Sequence, residues 1–394
     1  MKEEIVQLTR ELVNIYSPYF KEAQVMEYAY EWLNSRNIPA EFHKYHESKV
    51  TNFEGINLVG KITGKGNGPK ILLNGHLDTV YLTDGWTKDP FEGIIEEDRL
   101  YGLGALDMKG GSAAIMLALD MFLKNHEDFN GEIVYSFVSD EEGPYGLGTD
   151  SLIRDGYADG INFSIVTEPS AGFCNIEYPC LCLGARGGYN YTVTLTGKAS
   201  HAANPELGVN AIVDMSKVIC QLENIEFVND PLLGMGDLAV IDVKGGGAAA
   251  SVAESENFTV FRHVVRGEDK VTLRNEIIEA VKRADIKSSW KMNFRPAPYE
   301  EVDGFIPYAV DEENKYTKLI QRSIMDISGK NGEIAYFSSI GDFNYLGTRL
   351  NAPTYIFGPY GENYHTGDEW VSIESLVDTC RTIYRILEIA LDAK

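Results

Sequence analysis

Apolar and polar residues recur along the chain with two different periods, which predict helices and strands. Helical spacing covers residues 1–16 and 21–34, around a break at Ser17-Pro18, and a last helix is predicted at 372–391. Apolar runs of strand length lie at 55–63, 69–74, 132–138 and 161–166. Because helical and strand patterns follow one another in this part of the chain, we predict an α/β fold.

The middle of the chain shows a different pattern. Strand patterns and helical patterns alternate there, at 189–195, 209–222, 238–243, 258–263 and 270–283. This α+β pattern is compatible with a small inserted domain. A Pro-rich break follows at 295–298. We therefore predict a domain of residues 183–295 inserted into another formed by 1–182 and 296–394.

Composition excludes some classes of function. The 394 residues allow two or three domains, and 44% apolar with 24% charged residues is ordinary for a globular protein. The net charge of −24 disfavours nucleic acid or an anionic membrane as a partner, because both require basic patches.

Two further features bear on location. Residues 1–17 form a charged amphipathic helix rather than a signal peptide, and Asp120 interrupts the most apolar helix, so no run has membrane-spanning length. The five cysteines are an odd number scattered over a large chain, which is typical of free thiols in a reducing compartment. We expect a cytoplasmic protein.

Asp107 is the first candidate functional residue. It lies in LYGLGALDMKGGS, residues 100–112, between a short strand pattern and a predicted helix whose positive end favours an ionised carboxylate. The spacing Gly102-x-Gly104-x-x-Asp107 imitates a dinucleotide fingerprint. However, the carboxylate takes the place of the third glycine and would repel a pyrophosphate. A metal ligand is the better interpretation, if other ligands converge on it.

The H-x-D sequence formed by His76 and Asp78 follows an apolar strand. Period two places both side chains on one side of an extended segment. The carboxyl ends of strands are where α/β proteins carry their sites, and a carboxylate near a ligand histidine fixes its tautomer. A structural histidine remains the alternative.

Carboxylates also follow the next two strand patterns. Asp140, Glu141 and Glu142 come directly after one of them, and Glu168 follows the other before a proline. A surface charge run is the plain interpretation of such a triplet. Next to an apolar strand it is expensive unless cations balance it.

The order of these motifs resembles the M20 family of co-catalytic metallopeptidases and deacylases, which includes acetylornithine deacetylase, succinyl-diaminopimelate desuccinylase and aminoacylase. The resemblance runs from about residue 5 to 390. It implies a central mixed sheet with helices on both faces, and it makes 183–295 a lid and dimerisation domain. The motifs are H-x-D at 76–78, G-x-x-D-M-K-G-G at 104–111, D-E-E-G at 140–143, E-P-S at 168–170 and a late His365.

The resemblance implies a set of five metal ligands. His76 and Glu168 would bind one ion, and Glu142 and His365 the other. Asp107 would bridge both ions. Three anionic ligands and two neutral imidazoles nearly balance two divalent cations. A mixed nitrogen and oxygen set without thiolate suits zinc, with Co²⁺ or Mn²⁺ as substitutes. We therefore expect two Zn²⁺ per chain.

The resemblance also implies three catalytic roles. Asp78 would orient His76, and Glu141 would be the general base. His201, in the segment GKASHAANPELGVNAI, would help to stabilise the tetrahedral oxyanion, usually by reaching into the site of a dimer partner. The expected assembly is therefore a homodimer, and the expected partner is a small-molecule substrate.

Some positions depart from the family pattern. Members that bind an α-carboxylate usually carry an arginine in an S-G-G-x-D-x-R-like segment. The matching stretch SSIGDFNYLGTR has Asn344 at that place and Arg349 five residues on. His263 stands where an arginine is common, beside Arg262, and Arg186 matches a family position near the lid hinge that is either structural or close to the substrate. The departures leave the hydrolytic residues in place and leave the substrate open.

Two functions use the same predicted machinery. We favour hydrolysis of the amide bond of an N-acyl amino acid, by a deacetylase or desuccinylase. The alternative is a di-/tripeptidase or carboxypeptidase. A protein that kept the fold without catalysis would lack a ligand or the base, and none is missing.

Overall fold

The computed structural model describes residues 1–393, which form two compact units. The first unit contains Met1–Ala185 together with the chain from Tyr308 onward. The second unit is Arg186–Pro307. Each unit has its own buried apolar core.

The second unit extends beyond the predicted boundary at 295/296. Gly188 and Phe305 exchange backbone hydrogen bonds of 2.9 Å in both directions. This pairing holds residues up to Pro307 in the second unit. A Pro-rich break indicates where a regular element ends, whereas it carries no information about such long-range pairing.

The helices and strands of the described chain have the following bounds. The helices are α1 (Lys2–Val13), α2 (Ala23–Asn34), α3 (Gly110–Asn125), α4 (Leu147–Arg154), α5 (Ser170–Cys174), α6 (Ala211–Leu222), α7 (Lys270–Ala284), α8 (Lys315–Ser328), α9 (Phe343–Arg349) and α10 (Ile373–Ala390). The strands are β1 (Glu41–Glu47), β2 (Phe53–Thr63), β3 (Gly66–His76), β4 (Ile94–Glu96), β5 (Arg99–Tyr101), β6 (Asn130–Val138), β7 (Phe163–Val166), β8 (Cys180–Ala185), β9 (Gly187–Thr196), β10 (Asn229–Asp230), β11 (Gly234–Met235), β12 (Asp237–Gly245), β13 (Ser255–Val264), β14 (Ser289–Phe294), β15 (Tyr308–Ala309), β16 (Glu333–Phe337), β17 (Thr354–Ile356), β18 (Gly361–Glu362) and β19 (Trp370–Ser372).

A mixed sheet forms the centre of the first unit. Its strand order is β1-β2-β6-β3-β7-β17-β8-β15, and β16 pairs with β8. Strand β3 is parallel to both β6 and β7, and β17 is parallel to β7. The fold is therefore α/β with a central mixed sheet, as predicted. Because parallel strands end at the same edge of a sheet, residues after β3, β6 and β7 emerge side by side.

Helix α3 is the most deeply buried helix of this unit. Every residue from 110 to 120 is buried, because the helix is apolar almost all round. It packs against α10 and α1. The turn that begins α3 carries Asp107, so this residue is attached to one of the most completely packed parts of the unit.

The second unit is built on an antiparallel sheet. Its order is β12-β13-β9-β14, and α6 and α7 cover one face. Alternate residues of β13, among them Phe258 and Val260, are buried under these helices.

Two further findings concern the whole described chain. Among its helices, none combines the length and the apolar character that a membrane crossing requires. Its five cysteines are free thiols.

Candidate metal centre

Three neighbouring strands bring the predicted site residues to one edge of the sheet. His76 is the last residue of β3 and lies opposite Val138, the last residue of β6. On the other side of β3, Asn74 lies opposite Val166, the end of β7. Glu141, Glu142 and Glu168 follow within a few residues of these ends.

Asp107 lies between the two histidines. Its Oδ1 is 3.3 Å from Nε2 of His76, and its Oδ2 is 3.3 Å from Nε2 of His365. The side chain is 6% exposed. The two carboxylate oxygens thus face two different imidazoles, which is the arrangement a bridging ligand requires.

Each histidine also approaches a glutamate. Oε2 of Glu142 lies 2.9 Å from Nε2 of His365, and Oε1 of Glu168 lies 3.4 Å from Nε2 of His76. Ligand atoms of His76, Asp107 and Glu142 lie within 4.8 Å of one another, and so do those of His76, Glu141 and Glu168. Six of the eight predicted site residues, four with carboxylates and two with imidazoles, therefore converge.

Burial makes the ionised carboxylates of this cluster costly. It raises the pKa of Glu141 and of Glu168 well above the usual range. Burial and the nearby Asp107 raise the pKa of Glu142 to about 7. For Asp107, burial acts in the same direction, but hydrogen bonds from His365 and His76 outweigh it and lower the pKa. The cluster thus holds more carboxylate than its imidazoles balance.

A pair of divalent cations fits this donor set. Oε2 of Glu168 is buried and accepts no hydrogen bond from the described residues. A buried carboxylate oxygen without a donor is costly, and a cation would satisfy it. The set offers imidazole nitrogen and carboxylate oxygen without thiolate, which suits zinc and allows cobalt or manganese.

Hydrogen bonds from the backbone hold the residues around this cluster. Oδ2 of Asp78 accepts the backbone N–H of Glu142 at 2.9 Å. Nδ1 of His76 lies 3.0 Å from the backbone carbonyl oxygen of Asp78 and 3.4 Å from its Oδ1. The nearer partner of His76 is therefore the carbonyl. Oε1 of Glu141 accepts the backbone N–H of Asp342 at 3.2 Å.

Sequence reasoning missed Glu369 and Asp368. The buried carboxylate of Glu369 accepts backbone N–H groups from the turn that carries Asp107. Oδ1 of Asp368 accepts the backbone N–H of Thr87 at 2.8 Å. Their only signal was an Asp-Glu pair three residues after His365, which in a polar, glycine-containing turn is typical of solvated surface.

The arginines suggested for substrate binding have partners inside the protein. Nη1 of Arg349 lies 2.9 Å from Oδ1 of the fully buried Asp150. Arg262 is buried and pairs with Glu268 and Glu276 at 2.5 and 2.8 Å. Within the second unit, Arg186 pairs with Asp237 at 3.0 Å and donates to the carbonyl of Leu233. Asn344 is buried, and its Oδ1 accepts the backbone N–H of Gly341.

His201 belongs to the second unit and is exposed there. Its segment forms a bridge with Ser251. The ring nitrogen Nδ1 accepts the backbone N–H of Ala203 at 3.1 Å. An accepting Nδ1 in a neutral imidazole leaves the proton on Nε2, so this atom is a donor.

Comparison with known proteins identifies the family. Residues 72–389 match the profile of peptidase family M20/M25/M40. The chain belongs to this family. It is 28% identical to a succinyl-diaminopimelate desuccinylase of Beijerinckia indica subsp. indica, over 80% of this chain and 81% of that protein. The predicted resemblance is thereby confirmed.

Solved structures share the fold of this M20 protein. A tripeptidase from Staphylococcus aureus superposes with a TM-score of 0.80 at 20% identity, over 99% of this chain and 98% of the other. A dinuclear metal binding peptidase of family M20 from Bacillus subtilis gives 0.72 at 13% identity, over 100% and 99%. As a family member, the protein is a metal-dependent hydrolase of amide bonds, which confirms the predicted class of enzyme.

Proposed function

We propose that the protein is a co-catalytic di-zinc hydrolase that cleaves the amide bond of an N-acyl amino acid. The observation that carries this proposal is the position of Asp107, whose two oxygens face His76 and His365 at the same distance of 3.3 Å. The relatives named succinyl-diaminopimelate desuccinylase support an acylated amino acid as the substrate.

The ligand set follows from this geometry. His76 and Glu168 would hold one ion, Glu142 and His365 would hold the other, and Asp107 would bind both. When bound, the metal pair would supply Lewis-acid activation of the amide carbonyl and of water.

Glu141 is the general base of this proposal. The backbone N–H of Asp342 holds Oε1, while Oε2 lies 3.8 Å from Nε2 of His76 and faces the ligands. A carboxylate fixed at one oxygen can take a proton from water with the other and pass it to the leaving nitrogen. The backbone donor keeps the side chain in the orientation that both transfers require.

His201 supplies the donor for the oxyanion. Because Nδ1 accepts from Ala203, the proton on Nε2 is available to a substrate oxygen. In the family pattern this histidine serves the site of a dimer partner, so the proposal includes a homodimer.

A peptidase is the second candidate, and the pairing of Arg349 favours it. An N-acyl amino acid presents its α-carboxylate next to the cleaved bond, whereas an enzyme that removes the first residue of a tripeptide has that carboxylate farther away. Because Arg349 is paired with Asp150, the α-carboxylate of an N-acyl amino acid would require a different cationic residue to bind it.

Metal analysis and a substrate panel test the proposal. The purified protein should contain about two zinc ions per chain, and chelator should abolish an activity that added zinc restores. N-succinyl and N-acetyl amino acids should be cleaved with a higher kcat/KM than di- and tripeptides. Preference for peptides would establish the second candidate, and a chain that binds no metal would overturn both.

A further inference from the structure

The carboxylate of Glu369 lies within the turn that carries Asp107. Its Oε1 accepts the backbone N–H groups of Leu106 and Asp107 at 2.8 and 3.0 Å, and its Oε2 accepts that of Gly104 at 2.8 Å. The backbone carbonyl of Glu369 also accepts the N–H of Gly102 at 3.0 Å. Glu369 is 1% exposed. The side chain and backbone carbonyl of this one residue thus fix most of the backbone between Gly102 and Asp107.

The same segment carries His365, four residues earlier. His365 has a φ of 61°, a backbone conformation that is uncommon outside glycine and that persists only where the surroundings hold it. Asp368 supplies one contact that holds this segment, because its Oδ2 accepts the hydroxyl of Thr87 at 2.6 Å. Strand β19 follows Glu369 directly and pairs with β5. The turn of His365 is therefore held on its C-terminal side, at Asp368 and Glu369.

The five proposed ligands differ in what holds them. His76 ends β3 and Glu168 follows β7, two strands paired along their length, so the sheet itself sets their separation. Asp107 and His365 lie on two turns that are 258 residues apart in sequence, and Glu369 joins these turns directly. The ion that His76 and Glu168 would hold is called the first ion, and the one that Glu142 and His365 would hold is called the second ion. Two of the three ligands of the second ion, Asp107 and His365, depend on this contact, whereas only Asp107 does so for the first ion.

We infer that Glu369 is a positioning residue that sets the distance between Asp107 and His365 and thereby controls binding of the second metal ion. The inference rests on the proposed metal centre. Glutamine cannot replace this carboxylate, because its amide N–H₂ would face an N–H donor in place of one accepting oxygen. Partners of metal ligands typically contribute about 10- to 100-fold to metal affinity.

Metal titration of the apoprotein tests the inference without using activity. Zinc binding to wild type, Glu369→Gln and Glu369→Asp is measured by calorimetry, and Co²⁺ spectra of the same proteins report ligand geometry. We expect Glu369→Gln to weaken the binding step of the second ion by about 10- to 100-fold and that of the first ion by much less. Glu369→Asp, which keeps both oxygens but withdraws them by one methylene, should show a smaller loss in the same step.

A matched control is Glu362→Gln, which lies in the same segment and whose carboxylate accepts only the hydroxyl of Tyr360 among the hydrogen bonds of the described chain. It should bind both ions as the wild type does. Equal weakening of both steps in Glu369→Gln would indicate a general structural role and overturn the inference, as would unchanged binding and an unchanged Co²⁺ spectrum. If the wild type itself binds no metal, the proposed function fails instead, so the two failures are distinguishable.

Discussion

Arg349 and Asp150 form an ion pair inside the first unit, with Nη1 of the arginine 2.9 Å from Oδ1 of the aspartate. Asp150 is fully buried, and its other oxygen accepts Nε of Arg154 at 2.8 Å. Each oxygen of the buried carboxylate therefore has one arginine as its donor. This assigns Arg349 to the stability of the fold, although its place in the sequence suggested contact with a substrate carboxylate.

Arg349→Met should consequently lower stability more than substrate affinity. The change leaves one oxygen of buried Asp150 without a donor, which costs about 1–3 kcal/mol. Chemical unfolding measures this loss, and KM measures binding. Arg154→Met, which removes the other partner of the same aspartate, is the matched control and should behave alike. A large rise in KM at unchanged stability, for Arg349→Met alone, would restore Arg349 as a substrate ligand.

Glu141→Gln should remove the base without removing the metal. The amide can still accept the N–H of Asp342 but cannot take a proton from water, so kcat should fall about 10²- to 10⁴-fold. Turnover and metal content are measured on the same preparation. Wild-type turnover in this variant would refute the assignment of the base.

Asp107→Ala should lose both metal ions and nearly all activity. It removes a ligand from each proposed site, whereas His76→Ala removes one from a single site and should leave the second ion partly bound. Elemental analysis after dialysis measures both variants. An Asp107→Ala protein with two bound ions would contradict the bridging role.

Two substitutions of His201 separate its two ring nitrogens. The amide nitrogen of glutamine can reach the position of Nε2, whereas that of asparagine corresponds to Nδ1. Loss of an oxyanion donor costs about 10²- to 10³-fold in kcat, so His201→Asn should show that loss and His201→Gln only part of it. Since His201 is exposed, both proteins should unfold as the wild type does. Equal kcat values in the two variants would argue against donation from Nε2.

Asp230 should make the stability of the second unit depend on acid pH. Hydrogen bonds from Arg266, together with the backbone N–H groups of Leu233 and Leu232, lower the pKa of Asp230 from 3.8 to about 2. A pKa that is lowered in the folded state stabilises the protein above about pH 4, and this contribution is lost as the pH falls towards 2. Unfolding free energies between pH 6 and pH 3 should fall less steeply in Asp230→Asn than in the wild type. The same pH dependence of the unfolding free energy in both proteins would contradict a stabilising role of the Asp230 carboxylate.

The sequence contained enough information to predict the sheet and the residues at its edge. The predicted strands at 55–63 and 132–138 correspond to β2 and β6 within two residues at each end. These two strands could be predicted because the pattern of apolar residues along each segment is sufficient to indicate a strand. The convergence of His76, Glu142 and Glu168 then follows, because parallel neighbours end at one edge.

Other features could not be predicted, because they depend on contacts distant in sequence. Arg349 and Asp150 are 199 residues apart, and no sequence motif at either residue indicates that the two pair. Strand β1, EFHKYHE, is so polar that its pattern indicates no buried strand, and its pairing with β2 keeps it in the sheet. The acceptor role of Glu369 likewise exists only once two separate turns have met.

The chain leaves the first unit and returns to it at facing positions. Ala185 ends β8, Tyr308 begins β15, and the two residues lie opposite each other in an antiparallel pair. Residues 186–307 thus occupy the place of a hairpin loop, and a two-residue Asn-Gly turn is short enough to close the same pair. Such a shortened chain would keep every proposed metal ligand and lose His201, so it would separate the capacity to hold metal from the capacity to stabilise a reacting oxygen.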